Sequence, residues 1–592
     1  MFTIKLRCIA IFIFLTVGAR NLFSNASESF PKTALEREDV VATAESVTTN
    51  TYPNANEVVL DEHIVVKYQP DGSAKTRDDE YVKVLTEKGR RERKSMNLRF
   101  NEHYSEVVPE LIEIIKPDGT VREVDLEQQS KTMTEPSQMG SNIYNPKEKV
   151  LKITLSGLEV GDIVHYRIQR NQFKARMADT WSDYTLFEYT TPIRRILYEV
   201  EAPSDLPIEQ KVLKDRVENT VEYSRKEHSD HTRHSWEVRD VPRMYKEPRM
   251  PPLSTVVQRL LVSTIPDWET VSRWYWDLSK PRLDATTPKM EEKVEELIAG
   301  ASGDMDKVRR IFRFVSQEIR YMGITTEETA PGYEPHDVSM TFENRYGVCR
   351  DKAALLVAML RLAGLDAYPV LIYVGPKKDE EVPQPYFNHA IAAVELEPGE
   401  YTLMDPTDES TRDLLPNYLC NKSYLIAKPQ GEDLQTSPIV PATENLLRVS
   451  STGKLDSDNT LSVDTVIDFD GVNDSVYRGF FARQKQEDLR RFFEERVRKS
   501  VPGSTLESFE YTPEDLMNTE IPLSVSFSFS SEDYPTGESG TAMLPPPWVA
   551  KSLGVASFVL RGTGLSEREY PLATEIACGI DESFELDLSE SD

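Results

Sequence analysis

The sequence predicts a multidomain α+β protein: an N-terminal β-sandwich, a central α+β domain and a C-terminal β-rich domain. Three observations carry this. Strand signals dominate from residue 57 to about 240, the apolar period lengthens to that of helices from about 263, and period-two alternation returns beyond 445. At 592 residues the chain exceeds one ordinary core, and two to four domains are expected. Its 39% hydrophobic and 29% charged residues suit soluble globular domains.

The first 26 residues read as a secretory signal. Lys5 and Arg7 form a short positive region, and "IAIFIFLTVGA" is apolar for a length that suits export and falls short of a membrane span. "SNA" places small residues at the cleavage positions, so cleavage is expected after Ala26, with Ala19 second. Cys8 precedes the apolar run and is badly placed for a lipid-bearing cysteine. The expected location is periplasmic or secreted, with no membrane span in the mature chain. Residues 27–56 are rich in Ser, Thr, Asn and Glu and read as a linker.

Residues 57–250 are expected to form the sandwich. "HIVVKY", "YVKVL", "LIEIIKPDGTVREV", "VLKITLSGLEVGDIVHYRI" and "ILYEVEAP" are rich in Val, Ile and Tyr and are broken by Asp-Gly, Gly-Asp and Pro. "KPDGT" is a turn by its own chemistry. "HSDHTRH", with His228, His231 and His234 at intervals of three, reads as a polar hairpin loop, because that spacing does not suit metal ligands on a strand.

Residues 260–430 are expected to form the α+β domain. Asp267 is placed to cap a helix carrying Trp268, Val271, Tyr275 and Leu278. These residues and Trp274 and Trp276 read as packing residues. Val308, Ile311, Phe312, Val315 and Ile319 mark a second helix. A third follows Cys349, with Ala354, Leu355, Ala358 and Leu362 on one stripe and Gly364 at its end. The strands "AYPVLIYV", "HAIAAVEL" and "YTLMD" come next. Residues 445–592 return to β, with Leu461, Val463, Ile467 and Phe469 alternating in one strand and Leu523, Val525, Phe527 and Phe529 in another. The amphipathic helix "QEDLRRFFEERVRKSV" lies between them, and "DESFELDLSESD" reads as a solvated acidic tail.

The net charge of −29 argues against nucleic acid as a partner and against docking on an anionic leaflet. The mature chain keeps Cys349, Cys420 and Cys578. Cys420–Cys578 is the one pairing that spares Cys349, and sequence alone does not support it.

Cys349 is the residue that carries chemistry. It stands at a helix start, where unpaired N–H groups and the dipole favour a thiolate. Gly347 permits close backbone approach, and Arg350 and Lys352 add positive charge. Downstream, His389 opens one strand and Asp405 ends the next. Antiparallel neighbours would set base beside orienter, with the cysteine helix packed across them. Alone, Cys349 reads as a core cysteine, His389 as a strand-end histidine and Asp405 as a turn former before Pro406. His336 is a rival base, in "EPHDV", which reads as an irregular loop. The Cys349 N–H is one natural oxyanion donor; Gln317, Tyr321 and Tyr333 are candidates for a second.

"RYGVCRDKAALLVAMLRLAGLDAYPVLI", "FNHAIAAVEL" and "YTLMDPT" together resemble the cysteine, histidine and aspartate segments of the bacterial transglutaminase-like superfamily, whose fold is related to papain-like proteases. "LSGLEVGDIVHYRI" is similar to the β-domain of unknown function that often precedes this core in exported bacterial proteins. The resemblance covers about 60 to 430. It implies a Cys349–His389–Asp405 triad acting on amide bonds through a thioester, by hydrolysis or transamidation, with a protein or peptide substrate and no cofactor or metal. Val348 departs from the pattern, which usually has aspartate there. Losing that charge favours the thiolate but can remove a structural hydrogen bond. A reading from another class also follows: a non-catalytic cell-envelope interaction protein on a degenerate scaffold.

Overall fold

The structure, a computed structural model, describes residues 35–141, 143–214, 220–324, 332–535 and 543–588. The expected signal segment and its cleavage sites lie outside the described residues. So does Cys8.

An eight-stranded sheet organises the N-terminal region, in the order Val221–Glu227, His231–Val241, Ile193–Pro203, Glu57–Tyr68, Ala74–Val84, Ile163–Gln172, Ser105–Ile115, Val121–Glu123. Glu57–Tyr68 and Ile193–Pro203 run parallel, and their other neighbours run antiparallel. Two three-stranded sheets cover one face, which makes the sandwich. One of them presses Trp181, Phe187, Leu260 and Val262 onto Val66, Tyr68, Val200 and Trp236. The other presses Leu151 and Ile153 onto Ile112, Ile114, Val164 and Ile168. Alternation in the strands sends Val58, Leu60, Tyr81, Ile115 and Ile163 to the opposite face.

Three expectations change here. The segment read as a linker carries the helix Arg37–Ala44, whose Val40 and Ala44, followed by Val47 and Ala55, pack on that opposite face. Its sparse apolar residues mean little by composition and gain their burial from the sheet. The N-terminal region also extends past 250, since Arg259–Ser263 is the middle strand of one small sheet. In "HSDHTRH" the turn occupies only residues 228–230. His231 opens a strand, and His234 lies within it, accepting or donating to the Tyr223 hydroxyl at 2.8 Å.

The central region packs the helices Trp268–Leu283, Pro288–Ile298, Asp304–Glu318, Val338–Asn344 and Cys349–Leu362 against a five-stranded antiparallel sheet. Its order is Glu400–Met404, His389–Glu397, Asp366–Ile372, Ser423–Ile426, Gln435–Thr436. Asp267 caps its helix as expected, accepting from Thr270 N at 2.8 Å. The buried stripe of that helix is Trp268, Val271, Ser272, Tyr275, Trp276, Ser279 and Leu283, with Leu278 beside it. The cysteine helix is buried all round from Asp351 to Leu360, because helices enclose it on one side and Leu371, Ala392 and Val394 of the sheet on the other. Gly364 ends it with φ +82°, and Leu365 N donates back to Leu360 O. The helices Pro288–Ile298 and Val338–Asn344 are additions to the sequence reading.

The C-terminal region is a five-stranded sheet, Thr505–Thr512, Ser524–Ser531, Leu461–Phe469, Leu446–Leu455, Gly579–Asp587. Phe481, Leu489, Phe493 and Val497 from two helices cover it. The expected acidic tail is corrected: Gly579–Asp587 is an edge strand paired in parallel with Leu446–Leu455. Phe584 and Leu586 alternate inward while the carboxylates between them face out. Among the described residues the cysteines Cys349, Cys420 and Cys578 are free, so Cys420 and Cys578 do not pair.

Candidate active site

The chain delivers Cys349 to the start of the most enclosed helix. The helix Val338–Asn344 ends on Arg345 in the left-handed conformation, φ +58°. Residues Tyr346–Gly347 then pair in parallel with Arg320–Tyr321, in the register Tyr321↔Gly347. Gly347 is required there: a Cβ would lie 2.7 Å from the Asp351 Cβ. Val348 is the N-cap, and its N–H is accepted by Asp351 Oδ2 at 3.1 Å. The Val348 side chain packs on Gly323, where an added Cβ would sit 2.4 Å from Val348 Cγ1. Asp351 therefore holds the N–H of the N-cap residue, the Asp351 and Lys352 amides donate to the Val348 carbonyl at 3.0 Å, and the helix start keeps its geometry.

His389 and Asp405 meet through strand register. Ala392 opposes Met404, which makes Asp405 the diagonal neighbour of His389 on one face of the sheet. His389 Nε2 and Asp405 Oδ2 are 2.9 Å apart. Asp405 is fully buried and also accepts from the Tyr418 hydroxyl at 2.6 Å and Thr407 N at 3.0 Å. With Nε2 committed to the carboxylate, Nδ1 is the ring atom left for the Cys349 thiol, whose ionisation His389 favours. Cys349 and His389 thus line one cleft, with Asp405 bonded to the far side of the ring.

Charges in the relay support one another. Burial works against a Cys349 thiolate, but the hydrogen bond and charge of His389, the Arg350 guanidinium and the Ala390 N–H hold the thiol below its ordinary range. Burial likewise opposes an imidazolium, and is outweighed by Asp405 and then Cys349, which push His389 up to about 10. Asp405 is held low despite burial, chiefly by His389. By contrast, burial raises both Cys420 and Cys578.

The other sequence candidates separate cleanly. Tyr321 lies close to Cys349, and burial together with the charges of Cys349 and Asp405 keeps its hydroxyl protonated. Gln317 points away, its Nε2 donating to Met517 O at 2.8 Å. The Tyr333 hydroxyl is spent on the Phe387 backbone, donating to its O and accepting from its N. His336 Nδ1 lies 3.1 Å from Asp351 Oδ1, on the capping side of the helix start. Lys352 is buried and donates to Ser316 O and Ile319 O, so its charge caps another helix rather than facing the sulfur. Tyr418 escaped sequence reasoning, because it reaches Asp405 from the single 3-10 turn Asn417–Leu419, too short to leave a periodic signal. Among the described residues no cluster of side chains fits a metal ion.

Residues 291–406 match the transglutaminase-like superfamily. The central region is a transglutaminase-like core. Ahead of it, residues 70–245 match DUF3857, a domain of unknown function with solved structures. A proposed protease from Parabacteroides distasonis shares this fold: 13% identity, TM-score 0.54, covering 83% of this chain and 95% of that one. A proposed cysteine protease from Cytophaga hutchinsonii aligns at 16% identity over 40% of this chain and 76% of its own, with TM-score 0.19. The periplasmic domain of TgpA from Pseudomonas aeruginosa aligns at 17% identity over the same shares, with TM-score 0.17. Scores that low carry no argument. No curated protein matches the sequence.

Proposed function

We propose that this protein is an exported enzyme of the cysteine-nucleophile type that acts on amide bonds of a peptide or protein. The Cys349 thiolate attacks the amide carbonyl. Negative charge develops on the carbonyl oxygen near the N–H groups of the helix start and the Tyr321 hydroxyl. The C–N bond breaks as His389 gives its proton to the leaving nitrogen, and a Cys349 thioester remains. His389 then removes a proton from water or an amine, which attacks the thioester and releases the thiolate. Asp405 keeps the ring oriented and favours its cation throughout. Hydrolysis and transamidation share the first half of this scheme.

The observation that carries the reading is the connected relay: His389 bridges a fully buried Asp405 and a thiol whose ionisation it favours. The helix start is intact with Val348 in place, which weighs against a decayed scaffold. No helix among the described residues is long and apolar enough to cross a membrane.

The test is competitive labelling at pH 7 with a thiol-directed electrophile, read by mass spectrometry at each cysteine. Cys349 is expected to react at least tenfold faster than Cys420 and Cys578. Equal or slower labelling of Cys349 would overturn the enzyme reading and favour the interaction-protein alternative.

A further inference from the structure

A cleft of about 400 Å³ opens beside Cys349, walled by Tyr275, Tyr333, Tyr373, Tyr386 and Phe387. Two arginines, Arg176 and Arg350, line it, and no described carboxylate does. In a chain with net charge −29, that is a local reversal of sign beside the candidate nucleophile. The two arginines differ in their commitments. Arg350 stands near Asp351, with Nε 3.8 Å from Oδ1, and contributes to the low thiol pKa. Arg176 comes from the N-terminal region. It is exposed, and it has no carboxylate partner among the described residues.

Arg176 is nonetheless held in place. Its guanidinium carbon lies 4.9 Å from the Tyr104 ring centroid and 6.0 Å from that of Tyr333. The amides of Phe173 and Lys174 donate to Tyr104 O at 3.0 and 3.3 Å. Its neighbour Met177 is buried in the core of the central region, and Thr180 Oγ1 donates to the Met177 carbonyl at 2.8 Å. Gly332, φ +76°, lets Tyr104 close the rim, since a Cβ there would lie 2.5 Å from its hydroxyl. The sandwich thus inserts one arginine, fixed on both sides in sequence, into the mouth of the cleft. The segment that brings Tyr386 and Phe387 to the cleft is tied to the same region by Gln384 Nε2 donating to Asp183 O at 3.0 Å.

We propose that Arg176 binds a carboxylate of the acyl-donor peptide next to the reacting amide, so that the N-terminal region sets substrate selectivity for anionic peptides. A planar guanidinium that stacks on aromatic rings and keeps its donor edge free is the side chain suited to a carboxylate. The carboxylate can be a C-terminus or an Asp or Glu side chain. The proposal rests on Cys349 being the nucleophile, and the test separates the two.

The probes are iodoacetate and iodoacetamide, which differ in one negative charge and alkylate the same sulfur. Wild-type Cys349 is expected to give a rate ratio, anionic to neutral, at least fivefold above that of a free cysteine. Arg176→Ala lowers the ratio at least fivefold, Arg176→Lys is intermediate, Arg176→Glu falls below Ala, and 0.5 M salt compresses the series. A ratio unchanged by Arg176→Ala overturns the proposal, whether the separate rates stay or fall together. Failure of iodoacetamide to prefer Cys349 over Cys420 and Cys578 overturns instead the nucleophile reading. Protection against iodoacetamide assigns the source of the carboxylate. N-acetyl-Ala-Ala protects if a C-terminus is bound and N-acetyl-Ala-Glu-amide if a side chain is, each at least fivefold better than N-acetyl-Ala-Gln-amide. No advantage for either acid overturns the assignment.

Discussion

Replacing Asp405 with asparagine tests the relay at its buried end with almost no change of volume. The carboxylate and the thiol together raise His389 from 6.5 to about 10. At 1.36 kcal/mol per pH unit this is roughly 5 kcal/mol in favour of the imidazolium, net of the burial that opposes it. Asp405 is the leading partner in that rise, so its loss brings His389 down and weakens the imidazolium. The neutral amide can also donate to Nε2, which leaves the ring proton on Nδ1, the wrong tautomer to accept from the sulfur. The thiol then loses its cationic partner and titrates higher. In the wild type, alkylation should climb with pH well before the ordinary thiol range. In Asp405→Asn the climb should move upward and the rate at pH 7 fall by about 10- to 100-fold. The assay is the iodoacetamide rate at Cys349 from pH 5 to 11. Superimposable profiles for the two proteins would refute the electrostatic argument. Asp405 also enters folding stability. Its folded pKa lies below 3.8, so its contribution is present above that value and is lost as pH falls through the depressed one. Asp405→Asn should lack that acid-sensitive part of the urea midpoint.

Tyr321→Phe should raise the pH of the alkylation climb and slow thioester formation by about 10- to 100-fold, whereas Gln317→Ala, which loses only its bonds to backbone carbonyls, should leave the profile in place. Lys352→Met deprives two buried carbonyls of their donor and should cost about 1–3 kcal/mol in urea unfolding. Arg478 is fully buried and bonded to Asp474 and to the carbonyls of Leu516, Asn518 and Ile521; Arg478→Met should destabilise the C-terminal region by about 3–5 kcal/mol. Gly323→Ala should cost about 1–3 kcal/mol through its clash with Val348, and a Gly323→Ala/Val348→Ala double variant should recover most of that loss.

The relay was legible because each member sits where local chemistry leaves a mark. Cys349 stands between a glycine and a long apolar run, His389 opens a strand and Asp405 precedes a proline. Register then follows from the short connection between two alternating strands. What stayed hidden was any residue whose role depends on a contact distant in sequence. Tyr418 lies in one 3-10 turn and Arg176 in a loop, and neither has a period. Val40 and Ala44 look like linker residues until a sheet covers them. Glu582, Phe584 and Leu586 look like part of an acidic tail until a parallel neighbour buries alternate positions.

The sequence by itself determined the three regions, the order of their elements and the residues on which a thiol mechanism could rest. Periodicity and turn chemistry are local, and they act on each segment before it meets any other. Tertiary structure alone decided which candidates touch. It set Tyr321 close to Cys349 and turned Gln317, Tyr333 and Lys352 to backbone partners. It also aimed the Asp351 side chain at the Val348 N–H, because hydrogen bonds and burial are settled by packing between segments that the linear pattern does not connect.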